Sequence, residues 1–253
     1  MELFKNNWFF TGMIILSVYG CKDDDPKPFH QNVTLDINHQ WNDSALVLEN
    51  KYVLEQDFNT DTITPTTLIY HINNLVLNAE NNQKIMADQL YYMIDYNEKK
   101  VYPDNITFTT PKAGVKYYVT SLDFTIGVSD SLINQKGLLN SLFVSPMYWG
   151  MIQGYINFKF EGLSPRAPNN ALIYHIGGYT KPFYNSRKVS VVFDKPYLLN
   201  RENTLLISAN LAKLFKSKHQ IDISTIDLIH TPNTNSVLIA DNLATMYKFQ
   251  SLK

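Results

Sequence analysis

Six histidines are the residues of this 253-residue chain best suited to chemistry: His30, His39, His71, His175, His219 and His230. Neutral imidazole is a general-purpose metal ligand, so the placement of each one decides what it can do. His39 lies in Val33-Thr34-Leu35-Asp36-Ile37-Asn38-His39-Gln40-Trp41, where the odd positions are otherwise apolar and the even ones polar. That period-two pattern predicts a half-buried strand with His39 on its inward face beside Ile37 and Trp41. An inward imidazole needs a partner, and a backbone carbonyl or a hydroxyl serves as readily as a metal. His175 is followed by Gly177-Gly178, which lets the chain turn sharply beside it. His230, in Ile229-His230-Thr231-Pro232, is a third candidate ligand. His71 reads as a strand residue without a metal role. His30 and His219 read as solvated, in a tether and a Lys-rich turn.

Other chemistry is scarce. The chain has no phosphate-cradling glycine loop, no His-Glu-x-x-His and no Gly-x-Ser-x-Gly. The carboxylates Asp88, Asp95, Asp123 and Glu161 are scattered without a spacing that pairs them for acid-base work. The chain therefore reads as a binding protein and not an enzyme. A hydrolase of extracellular polymers would need a close carboxylate pair in an aromatic-lined cleft.

The elements that would position these groups are mostly strands. Tyr118, Leu122, Phe124, Ile126 and Val128 are expected on one strand face, Ile156, Phe158 and Phe160 on another, and Val189, Val191 and Phe193 on a strand that Pro196 should end. Leu211, Leu214 and Phe215 suit a short helix, and Ala240 to Tyr247 a second. Short strands separated by Asn, Asp, Gly and Pro clusters predict an all-β fold, an antiparallel β-sandwich with one or two short helices near the C-terminus. The 16 Tyr and 14 Phe suit half-buried pleated surfaces.

The N-terminus supplies an address. An apolar run from Trp8 to Tyr19, too short to span a bilayer, leads into Val18-Tyr19-Gly20-Cys21. Cys21 is the single cysteine and stands where a bacterial lipoprotein signal places the lipidated residue. The expected organisation is a signal peptide over 1–20, a lipidated Cys21 with a flexible tether over 21–32, and one sandwich domain over 33–253. Lys22-Asp23-Asp24-Asp25-Pro26-Lys27-Pro28 cannot pack a core. It reads either as a solvated linker or as a surface-export signal for an outer-membrane lipoprotein. The lipid anchor would make the membrane a partner. Loss of residues 1–20 removes Glu2 and Lys5 and leaves the net charge at −1, so nothing favours nucleic acid.

One stretch is more specific. Met147-Tyr148-Trp149-Gly150-Met151-Ile152-Gln153-Gly154-Tyr155 runs into Ile156 to Gly162, and Tyr174-His175-Ile176-Gly177-Gly178 follows. This resembles the copper-binding MbnP-like family, named for a periplasmic partner of the copper-carrying peptide methanobactin. There a Met-aromatic-Trp-small-Trp turn leads through Gly-Tyr into a strand, and a second strand ends in His-aliphatic-Gly. Here the first Trp stands as Trp149 and the second position is Met151. Weaker matches follow in the family's order: Ile37-Asn38-His39, Tyr70 through Asn74, Gly114 through Val128, and Ala240-Asp241-Asn242 through Met246-Tyr247.

The resemblance implies a lipid-anchored protein that scavenges or buffers copper at the cell envelope, with His39, His175 and His230 as candidate ligands. If His39 and His175 approach each other across the sandwich, two imidazoles make a linear or trigonal site. In copper-binding members a tryptophan beside the site is oxidised to kynurenine, which points to Trp149 or Trp41. Trp149 itself reads more readily as a plug closing the end of the sandwich. The alternative is a metal-free cell-surface module on the same fold, working through an outer-membrane or periplasmic protein partner, since Met151 departs from the family turn.

Overall fold

The computed structural model describes residues 27–128, Leu132, residues 147–150 and residues 154–253. The expected leader, Cys21, the expected tether as far as Pro26, and Met151 lie outside these residues. In chain order the strands are β1 (Asn32–Trp41), β2 (Ser44–Ala45), β3 (Tyr52–Glu55), β4 (Thr60–Ala79), β5 (Gln83–Met86), β6 (Tyr91–Asp95), β7 (Lys100–Tyr102) and β8 (Thr107–Thr109). They continue with β9 (Tyr118–Ile126), β10 (Tyr148–Gly150), β11 (Gly154–Leu163), β12 (Ala171–Gly177), β13 (Arg187–Leu198), β14 (Glu202–Asn210), β15 (Leu228–Ile229) and β16 (Tyr247–Leu252). A 3-10 turn over Leu211–Leu214 and one helix, α1 (Thr234–Leu243), lie among the late strands.

Two sheets face each other. The smaller runs β16-β14-β1-β2 with β8 also on β1. The larger runs β13-β9-β4-β11-β12-β15, and the remaining short strands join it at β4, β6 and β11. Pairing is antiparallel except for β1 with β14 and β12 with β15. Between the sheets lies one continuous core, with Val33, Leu35, Trp41, Leu205 and Ile207 from one side and Leu68, Tyr70, Phe158, Phe160, Tyr174 and Ile176 from the other. This is the expected sandwich, and the predicted alternation of β1 holds, with Val33, Leu35, His39 and Trp41 all buried.

Three local expectations change. Tyr118 is exposed and Val119 fully buried, the reverse of a strict alternation through β9. Ser121 pairs with Asn78 but Val119 pairs with Ala79, so Thr120 is an extra residue that flips the phase, as a β-bulge does. Pro196 does not end its strand, because β13 continues to Leu198. β13 lies at the end of the sheet order and its register breaks between Val192 and Tyr197, so the missing N–H of Pro196 costs no ladder bond. The late helix starts earlier than expected. Asn233 and Ser236 form a reciprocal capping box at its start, and Tyr247 already belongs to β16.

β4 does the most to organise the site. Its first half, Thr64 to Tyr70, pairs with β11, and its second half, from Ile72, pairs with β9. At His71 the sheet therefore branches.

Candidate metal site on the outer sheet face

His175 is placed by the alternation of β12. Tyr174 and Ile176 on either side of it are fully buried in the core, so His175 belongs to the opposite, outer face of the larger sheet. Its Nε2 lies 2.8 Å from Glu161 Oε1 on the neighbouring β11. Lys159 Nζ is 3.2 Å from the same oxygen, and Thr67 Oγ1 on β4 donates to Oε2 at 3.0 Å. Burial alone would raise the Glu161 pKa, but the bonds from His175, Lys159 and Thr67 hold it below the usual carboxylate range. Burial lowers the His175 pKa, opposed by Glu161, so the imidazole is neutral at neutral pH, the state that ligates metals.

His230 follows β15, which runs parallel to β12 with Tyr174 opposite Ile229. The next pair in that register is His175 and His230, and their rings meet edge to face at 5.2 Å. Trp149, on β10, lies 6.3 Å from His175, ring centre to ring centre. Gly177 makes that approach possible. A Cβ there would fall 2.6 Å from Trp149 Cζ3 and 2.6 Å from the Tyr155 carbonyl oxygen. Gly178 then takes φ +114°, with the Phe183 carbonyl where a side chain would sit.

The structure therefore brings together His175, His230 and Trp149. It does not bring His39 to them. His39 belongs to the smaller sheet and points into the core, where its Nε2 is 2.8 Å from the Tyr70 hydroxyl and its ring 4.7 Å from that of Tyr96. Tyr70 pairs through Phe158 with Ile176, all core-facing, so His39 and His175 lie on opposite faces of the larger sheet. Burial lowers the His39 pKa to about 4, partly opposed by a bond with the Ile37 backbone. Trp41 is also a core residue. Its Nε1 donates to the Val53 carbonyl at 3.0 Å and its ring stacks on Tyr52 at 5.2 Å.

The remaining histidines also find partners. His30 Nδ1 is 2.5 Å from the Thr110 carbonyl oxygen, and His219, expected in solvent, is half-buried with Nε2 3.2 Å from Asp241. His71 is wholly buried at the branch point and bonds the Tyr91 hydroxyl through Nδ1. Asn73 donates to the Gly127 carbonyl, and Asn157 Oδ1 accepts from Val128 N–H at 2.9 Å, so two amides grip one peptide where β9 leaves the sheet. His71 Nε2, Asn73 Oδ1, Tyr155 Oη and Asn157 Nδ2 have no hydrogen-bond partner among the described residues. Strand alternation could not signal this cluster, because it arises from the change of neighbour along β4.

The donors available on the outer face are two imidazoles, neutral or solvent-exposed, with a carboxylate behind one of them. Their ring centres are 5.2 Å apart, and imidazole suits copper. Among the described residues no group of three or more His, Cys, Asp or Glu is placed to hold a metal ion. No helix among them is long and apolar enough to cross a membrane.

An all-β sandwich of two mixed sheets, with a Trp turn and a histidine pair on its outer face, is the class these features define. The sequence matches the MbnP family model over residues 30–236, and the chain belongs to that family. The fold is similar to that of MbnP from Methylosinus trichosporium, with a TM-score of 0.52 and 13% identity, covering 83% of this chain and 87% of that one. No curated protein matches the sequence.

Proposed function

We propose that this protein binds copper at the cell envelope, through His175 with His230 on one side of it and Trp149 near its ring. One observation carries the reading: the family's Trp turn and its His-aliphatic-Gly strand end, far apart in sequence, meet at ring distance. A carboxylate on the second nitrogen of His175 also suits a ligand, since metal-binding imidazoles commonly hand their other N–H to such a group. Bound copper would draw on imidazole nitrogen for affinity, and on Trp149 or its oxidation product for the wall of the site. His39 is assigned to the core and not to the metal.

The protein acts by holding copper, not by catalysis, while a lipid on Cys21 keeps it at the outer membrane. The test is titration with Cu(I) against a competing chelator: His175→Ala should abolish stoichiometric binding and His230→Ala should weaken it. A metal-free interaction module is the competing reading. It predicts a protein whose stability ignores copper and which captures a specific outer-membrane partner.

A further inference from the structure

Glu161 holds a position that neither the family motif nor the histidine count reveals. Its carboxylate is bonded across three adjacent strands: to Thr67 on β4, to Lys159 on its own β11 and to His175 on β12. Both oxygens are used, so the group has little freedom to turn, and an ionised carboxylate can only accept hydrogen bonds. The proton in the 2.8 Å contact with His175 must therefore sit on Nε2. A neutral imidazole protonated at Nε2 keeps its lone pair on Nδ1.

We propose that Glu161 is a positioning residue that fixes the tautomer and ring orientation of His175, so that Nδ1 is the atom offered to the metal. This rests on the copper reading and names its ligand atom. Lys159 and Thr67 have a derived role, because they keep the carboxylate ionised and aimed along the sheet. A carboxamide at 161 can still accept from Nε2–H, whereas an aliphatic side chain cannot, and then nothing selects the tautomer.

The experiment has two readouts on the full domain. Long-range proton–nitrogen NMR of the metal-free protein at neutral pH assigns the His175 tautomer, and competition titration gives Cu(I) affinity. The expected results are Nε2–H in the native protein, a mixture of tautomers in Glu161→Leu, and near-native behaviour in Glu161→Gln. Copper affinity should fall about 10- to 100-fold in Glu161→Leu, the usual cost of losing such a partner, and by less in Glu161→Gln. Nδ1–H in the native protein, or an unchanged tautomer and affinity in Glu161→Leu, would overturn the role of Glu161 and leave the copper reading standing. Native protein with Nε2–H and no copper binding would overturn the copper reading instead. The backbone amide spectrum of each variant reports whether it is folded.

Discussion

His39 and Tyr70 are joined by a 2.8 Å hydrogen bond across the core, from one sheet of the sandwich to the other. The bond satisfies a buried imidazole and a buried phenol at once. His39→Ala should therefore cost stability, by about 1–3 kcal/mol for the stranded hydroxyl, and leave copper affinity within a factor of two. Denaturant unfolding and chelator competition on the same preparation check both halves.

Two buried histidines give the protein an acid-sensitive core. Burial takes the His39 pKa to about 4 and that of His71 to about 3, against 6.5 for an unhindered imidazole. The unfolded chain then binds more protons than the folded one below pH 6.5. Stability is complete above that pH and falls as pH drops toward 4 for His39 and toward 3 for His71, by about 1.4 kcal/mol per pH unit for each. Stability measured from pH 7.5 to 4.5 should show this slope. His71→Leu should flatten it by about one proton while lowering stability at neutral pH.

Gly177 is expected to be irreplaceable for the site. Gly177→Ala puts a methyl into both Trp149 and the Tyr155 carbonyl, so either Trp149 leaves His175 or the strand shifts. A red-shifted, more quenchable tryptophan emission should appear, since the other described tryptophan, Trp41, is buried in the core. Copper affinity should fall with it.

The branch of β4 rests on side-chain amides. Asn157→Ala strands the buried Val128 N–H and should destabilise the fold by about 1–3 kcal/mol in denaturant unfolding. Amide exchange should quicken first near Gly127 and Val128.

The strands were legible where one face is buried and the register unbroken, as in β1, where side chains alternate without interruption. Legibility failed at Thr120 and Pro196, because a bulge or an edge irregularity depends on the neighbouring strand and not on the local pattern. Helix α1 was misplaced because Asn233-Thr234-Asn235-Ser236 reads as a turn until its reciprocal bonds make it a cap. For the site, the motif named Trp149 and His175, which the fold brings to 6.3 Å, ring centre to ring centre. Alternation also put His39 inward correctly, but it could not say which face of the facing sheet His175 occupies. Glu161 reads in the sequence only as one of several scattered carboxylates, because its partners Thr67 and His175 lie on other strands, 94 and 14 residues away in sequence.

The most direct test is Cu(I) titration of residues 22–253, produced in a native-like host, as the unsubstituted domain, His175→Ala and His39→Ala. The account requires one tightly bound copper in the unsubstituted domain, none in His175→Ala and one in His39→Ala at native affinity. Binding that survives His175→Ala, or is lost in a folded His39→Ala, would contradict it.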